Sequence, residues 1–352
     1  LISISRSISK KTSDIGQAMR KKENRVTASD VAKLAGVSKW TVSRAFMPAA
    51  SISQDARERV LKVAQELGYR PNLLARSLAK KKTHIIGVVI DEMKNPHTLM
   101  LIDEATRQLQ SRGHMALIIN ISADAHHQSV MSQADQLQVD GILFLGTVLS
   151  AELISAAEQI YRVPLIQVCR NTASEGIEVI AIDGMSAGKK IAEVMLSQGF
   201  CRFGYMQGPE TPTSHTYRKE GFEAGLIAAG HTLDVMLKAG SYEREAAWNV
   251  LQNYIAHTPP EKRLDALFCE NDVLALGAMA ASNALAPDWN VGIIGFDDIE
   301  EAGALNWQLT TFNQRIDRLV NEALNRLIDG RVSDNANWQE GELRLRRSHL
   351  KA

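Results

Sequence analysis

Several polar residues of this chain stand just past short apolar runs, where an open α/β sheet presents side chains to a ligand crevice. Asn95, His97 and Thr98 follow "IIGVVI", and Thr147 follows "GILFLG". Arg218, Tyr242, Asn271, Asp272 and Asp297 hold comparable positions in the second half. The chemistry on offer is hydrogen bonding. A carboxylate such as Asp297 can accept from two sugar hydroxyls. Arg218 carries a planar fork of donors for hydroxyls, a carboxylate or a phosphate. Tyr242 can stack on the apolar face of a sugar. The competing role is structural: "FDD" and "END" also have the residue types that cap helices, and Arg218 can pair with a surface acid.

A second candidate chemistry is covalent. "VIAIDGMSAGKKIAEVML" contains Gly-x-Ser-x-Gly from Gly184 to Gly188, after a strand and before a helix, the context of a hydrolase nucleophile elbow. A hydrolase using this segment is the alternative to a binding protein. It needs a downstream acid and histidine, yet His215, His231, His257 and His349 sit in no recognisable loop signature, and no HGGG-type segment precedes the serine. The blander reading is a glycine-rich helix start. The same glycines have three residues between them rather than four and Lys190 replaces Ser/Thr, which excludes a P-loop. His126 and His127 lack a helical partner for zinc. No Gly-x-Gly-x-x-Gly follows the first strand, which weakens a dehydrogenase reading. No cofactor and no metal is expected, and the chain is not expected to be an enzyme.

The third chemistry is polyanion binding. In "VTASDVAKLAGVSKWTVSRAF" Thr27 can cap a helix, with Asp30 favouring its positive end. Val31, Leu34 and Ala35 then form one apolar face, and Gly36 permits the left-handed stop. Ser38 opens a second helix with Val42 and Ala45 inward and Lys39, Trp40 and Arg44 outward. Ser53 caps a third, with Val60, Leu61, Ala64 and Leu67 as its buried stripe and Gly68 as its end. Three short helices with a tight turn between the first two read as a helix-turn-helix DNA-binding domain. Arg and Lys suit guanine edges and phosphates; Ser and Thr suit phosphates. After Pro71, Asn72 to Ala79 is helix-permissive but too short to be helical alone in water, so it folds when DNA orders it or serves as a flexible linker.

The remainder supplies the frame. "IIGVVI", "ALIIN", "GILFLG" and "PLIQVC" read as buried strands, with helical stretches around 99–112, 126–138 and 151–161. A second series follows with "VIAID", "RFGYMQG", "LDVMLKAG", "DALFCE" and "VGIIGFD". Two doubly wound parallel sheets in series make two lobes with a cleft between them.

Composition agrees with this division. The 352 residues exceed one core, and 45% hydrophobic with 23% charged residues is ordinary for a globular protein. Net charge is zero but polarised: residues 1–82 hold 18 Lys and Arg against 6 Asp and Glu, and the remainder holds 22 against 34. A basic front on an acidic body suits a polyanion partner. No apolar run is long enough to span a bilayer, and residues 1–25 have no signal-peptide core, so the cytoplasm is the expected location. Those first residues read as a basic tail, with translation starting near Met19 as one possibility. Cys169, Cys201 and Cys269 have no paired spacing, against a disulfide framework.

"VTASDVAKLAGVSKWTVSRAF…ISQDARERVLKVAQELGYRPNLLARSLA" closely resembles the head of the lactose/galactose repressor (LacI/GalR) family, and the likeness runs on to about residue 350. The resemblance implies a helix-turn-helix head over 26–71 and a hinge helix and linker over 72–82. It implies a two-lobed periplasmic-binding-protein-like body over 83–352, crossing between lobes near Ala181 and back near Asn313. Lobe one would comprise 83–181 and 313–340, and lobe two 182–312 and 341–352. Lys39, Trp40 and Arg44 would face bases, with Ser38, Thr41 and Ser43 near phosphates. Thr27, Ser53, Asn72 and Ala75 join the DNA-binding set, and Leu78 would wedge into the minor groove. Trp40 is bulkier than the family's usual residue, so an operator sequence does not carry over. Arg218, Asp297 and the Asn271/Asp272 pair match common effector contacts, with Gln314 beside them. Where relatives often have an acid, "VPLIQVCR" has Cys169, which favours a sugar acid or sugar phosphate over a neutral sugar. The expected protein is a repressor of carbohydrate or sugar-acid genes, a homodimer on a pseudo-palindromic DNA operator with a small-molecule effector and no membrane partner. Without an apolar heptad tail a tail-mediated tetramer is not expected.

Overall fold

The computed structural model describes residues 26–47, 50–71, 82–121, 136–145, 163–169, 171–172, 177–210 and 214–351. The chain divides into two compact units, 1–81 and 82–352.

In the first unit three helices form in order: α1 (Ala28–Ala35), α2 (Lys39–Ala45) and α3 (Gln54–Leu67). Each begins on the side chain the sequence offers. Thr27 and Asp30 make a reciprocal capping box, Ser38 accepts from the Thr41 amide, and Ser53 accepts from the Ala56 amide. Gly36 and Gly68 end α1 and α3 at φ of 66° and 64°. Val31, Ala35, Val42, Val60 and Ala64 bury in the shared core. Two expected core residues do not. Leu34 is 65% exposed and Leu61 40% exposed, while Ala32 and Ala56 take the inward positions. The helices approach closely enough that the inward stripe is filled by alanine and valine, and the larger leucines fall one step round the helix. Arg57 holds the α2–α3 connection, donating to the carbonyls of Ala45, Met47 and Ala50.

The second unit contains two sheets. Strands β1 (Ile85–Ile90), β2 (Met115–Asn120), β3 (Gly141–Phe144), β4 (Leu165–Val168) and β6 (Glu178–Ile180) form a parallel sheet in the order β2-β1-β3-β4-β6. Strands β7 (Phe203–Gln207), β9 (Leu233–Lys238), β10 (Ala266–Cys269), β11 (Gly292–Phe296), β12 (Thr310–Asn313) and β13 (Glu342–Arg344) form the other, in the order β13-β12-β11-β10-β7-β9. Only β13 runs antiparallel to its neighbour. Between them, β5 (Asn171–Thr172) pairs antiparallel with β8 (Ser214–His215). "VIAID" therefore closes the first sheet, as the partner of β4, rather than opening the second. The paired strand, Glu178–Ile180, is long enough for an edge, and the chain turns away at Asp183 to start a helix.

Helix α4 (Pro96–Ser111) packs on the first sheet with α9 (Ile316–Asp329), while α5 (Gly184–Ser197), α6 (Arg218–Ala228), α7 (Arg244–His257) and α8 (Asp272–Leu285) belong to the second. Thus α9 returns to the first lobe after β12, and β13 goes back to the second. The predicted helices at 126–138 and 151–161 lie outside the described residues, apart from positions 136–138.

The Gly-x-Ser-x-Gly stretch is explained by packing. A Cβ on Gly184 would lie 1.8 Å from the Thr216 carbonyl oxygen, and one on Gly188 would lie 2.2 Å from the Arg218 carbonyl oxygen. From the opposite side, a Cβ on Gly221 would meet the Met185 carbonyl oxygen at 2.2 Å. Glycines on α5 and α6 let two helix backbones touch, which no side chain would permit. Ser186 is simply in the first turn of α5, its amide donating to Asp183 Oδ1 at 2.9 Å.

Candidate functional site

The strand ends of the second unit converge on a small cleft that is open to solvent. Its lining draws on both sheets: Asn95, His97, Thr98 and Cys169 from one lobe, Arg218, Tyr242, Asn271 and Asp297 from the other, and Gln314 at the return crossing. Leu101, Leu145 and Val168 supply an apolar wall. Nine of the eleven residues singled out from the sequence for a ligand thus meet around one space. Thr147 lies outside the described residues.

Asp272 is the exception. It is fully buried and does not line the cavity. Its Oδ1 accepts from the Thr311 hydroxyl at 2.5 Å and its Oδ2 from the Ile299 amide at 2.9 Å. Burial pushes its carboxyl well above the usual range, and the nearby charge of Asp297 pushes it further. As the first residue of α8 it points back under the β11–β12 loops, which it ties down. Asn271 does two things, capping α8 by accepting from the Leu274 amide at 2.9 Å while also lining the cavity. Asn95 caps α4 in the same way, through the His97 amide at 3.1 Å.

Asp297 follows β11 in a backbone conformation of φ 110°, rare for a residue with a side chain and costing on the order of 1–3 kcal/mol. Its Oδ1 accepts from Gln314 Nε2 at 2.7 Å. His97 Nε2 reaches across to Gln314 Nε2 at 3.4 Å and Asp297 Oδ1 at 3.8 Å, so the lobes touch at the cavity.

Arg218 opens α6 and is 6% exposed. Its guanidinium lies 3.8 Å from the Phe296 ring centroid, and Nη1 donates to the Glu270 carbonyl. Its Nε has no hydrogen-bond partner, and neither does the buried Oε1 of Gln314. Each is a polar group that water or a ligand must satisfy.

Glu270 was not apparent from the sequence. Its Oε1 accepts from the Tyr242 hydroxyl at 2.6 Å and its Oε2 from the Gly208 amide at 2.8 Å. A Cβ on Gly208 would collide with the Tyr242 ring at 2.1 Å, so the glycine makes room for the aromatic. The only hint was an acid directly before "ND" at the end of a buried strand. Phe296, the platform under Arg218, looked like one more core residue.

On the first unit, Lys39 and Trp40 are exposed and Arg44 is half-buried on α2. Arg44 places its guanidinium 4.1 Å from the Trp40 ring centroid, one turn away. A 66% exposed tryptophan beside two cations is an unusual surface unless something covers it. Ser38 and Thr41 share a hydroxyl hydrogen bond of 2.9 Å at the start of the helix, and Ser43 is exposed. Thr27 and Ser53 use their side chains as caps. Asn72, Ala75 and Leu78 lie outside the described residues.

A second cavity of about 260 Å³ is lined by Asp183, Ser186, Lys190, Asn337, Gln339 and Glu340 among others. None of its described lining residues is a histidine, so the base that a Ser186 nucleophile needs is not beside it. No helix among the described residues is long and apolar enough to cross a membrane.

Comparison with known proteins matches residues 27–72 to the family model described as bacterial regulatory proteins, lacI family. Residues 83–299 match the model for periplasmic binding proteins and the sugar binding domain of the LacI family. The HTH-type transcriptional repressor CytR of Escherichia coli (strain K12) is 30% identical over 318 residues, covering 88% of this chain and 91% of that one. The ribose operon repressor of the same organism is 28% identical over 306 residues, covering 86% and 92%. Among solved structures, the lac repressor dimer bound to operator and the anti-inducer ONPF superposes with a TM-score of 0.79 at 21% identity, covering 93% of this chain and all of that one. The similar curated proteins are named as repressors, not as hydrolases. A capped three-helix head with a cationic second helix, two parallel-sheet lobes around a polar cavity and these matches make the chain a DNA-binding transcriptional regulator belonging to the LacI family.

Proposed function

We propose that this chain is a cytoplasmic repressor of carbohydrate genes whose grip on DNA is set by a sugar held in the cleft lined by Arg218, Asp297 and Gln314. The observation that carries this is that two residues lining that space each keep a buried side-chain atom without a hydrogen-bond partner, the donor Arg218 Nε and the acceptor Gln314 Oε1. Leaving a buried polar group unpaired costs about 1–3 kcal/mol, which a polyol returns because each hydroxyl both donates and accepts. Asp297 would accept from ligand hydroxyls, Arg218 would donate, and Leu101, Leu145 and Val168 would cover an apolar ring face. Tyr242 has its hydroxyl committed to Glu270 at 2.6 Å, so it would act through its ring. At the Asp297 end, carboxylates repel an anion. Cys169 and Arg218 carry no negative charge, so a carboxylate or phosphate on the sugar would lie toward them.

The domain division we favour is 26–71 for the head, 72–82 for the tether and 83–352 for the effector body. One head covers a half-site, so a two-fold dimer on a pseudo-palindrome follows. The lac repressor neighbour is a dimer bound to operator. Lys39, Trp40 and Arg44 would read base edges. A ligand bridging His97, Gln314 and Asp297 would change how the lobes meet, and through a dimer the spacing of the two heads. Such coupling is typically about 1–3 kcal/mol.

Calorimetry with neutral pentoses and hexoses, sugar acids and sugar phosphates tests the reading. The wild-type chain should bind at least one class, and Asp297→Ala should lose that binding while still binding DNA. A panel that binds Asp297→Ala as well as wild type would remove the cavity from the function.

A further inference from the structure

At the other end of the first sheet, away from the strand ends that line the cavity, three residues stand just before three neighbouring strands. His84 precedes β1, His114 precedes β2 and Asp140 precedes β3, and the sheet order places β1 between the other two. Adjacent strands lie about 4.8 Å apart, so side chains at matching positions reach one another. One candidate ligand atom from each of the three lies within 4.8 Å of the others. The imidazole rings have centroids 5.1 Å apart at 58°.

The backbone and hydrogen bonds around these groups hold them in place. His84 has a left-handed φ of 57°, and both of its peptide groups are tied down. Its amide donates to Asp140 Oδ2 at 2.7 Å, and its carbonyl accepts from the Met115 amide at 2.8 Å. The Thr83 amide donates to Asp140 Oδ1 at 2.9 Å and the Thr83 hydroxyl lies 3.1 Å from the same oxygen, so the carboxylate is gripped at both oxygens and the free lone pair is on Oδ2. His114 Nδ1 lies 3.1 Å from the Arg112 carbonyl. Donation there fixes the tautomer and leaves the lone pair on Nε2, the arrangement that outer partners give to metal-binding imidazoles.

We propose that His84, His114 and Asp140 bind a divalent transition metal of the zinc type. Two imidazoles and one carboxylate suit zinc, cobalt or nickel rather than magnesium or calcium, which prefer oxygen. Three protein ligands leave a position for water. In a tetrahedral site the ligand atoms are about 3.3 Å apart, so the exposed His84 ring and the half-buried His114 ring must swing inward by about 1 Å, which side-chain rotation allows. The metal would link the residues that open the body, just after Lys82, to the starts of β2 and β3. The site shares no residue with the sugar cavity, so it stands or falls separately.

The test is calorimetric titration of chelator-treated full-length protein with Zn²⁺ alone, backed by Co²⁺ absorption to report ligand geometry. Wild type should take up one ion per chain. His84→Gln and His114→Gln should each weaken it at least tenfold, and His257→Gln, on the exposed end of α7, should not. The metal-free variants should keep the wild-type far-ultraviolet circular dichroism, so that a loss of uptake reports lost ligands rather than lost folding. Zinc uptake equal in wild type and in the His84→Gln/His114→Gln double variant, or no uptake by wild type, would overturn the proposal.

Discussion

Replacing Gly188 by alanine should destabilise the body and weaken sugar binding together. On an ordinary helix this change helps, since alanine is favoured over glycine by about 0.5–1 kcal/mol. Here the added Cβ would sit 2.2 Å from the Arg218 carbonyl oxygen and 2.5 Å from the Phe222 amide nitrogen. Contacts of this kind need about 3.4 Å or more, so the two helix backbones must part by roughly 1 Å. Both obstacles are main chain and cannot rotate away. Overpacking typically costs about 1–3 kcal/mol and occasionally more, which exceeds the propensity gain. Moving α6 also moves Arg218, whose guanidinium depends on the Phe296 ring and the Glu270 carbonyl for its place. Urea denaturation should show a lower midpoint with an unchanged slope, and calorimetry a weaker sugar affinity. Gly225→Ala makes a milder control, because its Cβ first meets the Ala192 methyl at 2.7 Å rather than a carbonyl. A Gly188→Ala protein as stable as wild type, with unaltered affinity, would refute the packing account of the Gly-x-Ser-x-Gly stretch.

Arg44→Ala should reduce affinity for a selected duplex by about 1–3 kcal/mol and relax base preference, if its fork reads a guanine; fluorescence anisotropy showing equal losses on selected and scrambled duplexes would contradict base reading. Asp272→Asn should become progressively more stable than wild type as pH rises from about 4, the unfolded carboxylate value, toward the raised folded value. The folded carboxyl of Asp272 is raised by burial and then by Asp297, so its contribution is fully present below the unfolded carboxylate range and is lost as pH rises through the folded value. The amide cannot ionise, and its oxygen can still accept from the Ile299 amide while its nitrogen donates to Thr311. Urea midpoints whose difference stays constant across that range would show that Asp272 stays charged and accommodated.

The sequence by itself determined the local structure and the kinds of chemistry. Thr27, Ser38 and Ser53 cap helices and Gly36 and Gly68 end them because capping and left-handed turns depend on a few adjacent residues. The central strands were legible because each is a continuous apolar run; "ALIIN", read as buried in the same way, forms the edge strand β2, where Ile119 is buried but Met115 and Ile118 are exposed because no strand flanks it on one side. Strand ends also point to the cavity, since a parallel sheet presents its ligand contacts there, so Asn95, His97, Arg218 and Asp297 could be singled out one at a time. Tertiary structure decided which of them converge. Asp272 and Asn271 are adjacent in a helix start, yet one lines the cavity and the other is buried under Thr311, a difference of helix direction that the letters do not carry. Leu34 and Leu61 follow a helical pattern but face outward, because the space between small helices admits alanine. Glu270 and Phe296 acquire their roles only by being next to Arg218, 52 and 78 positions along the chain. The meaning of Gly184 and Gly188 depended on what stood opposite: a nearby base would have made the motif catalytic, and another helix backbone makes it a packing surface. Local rules act over a handful of residues, whereas packing compares groups that only the fold brings together.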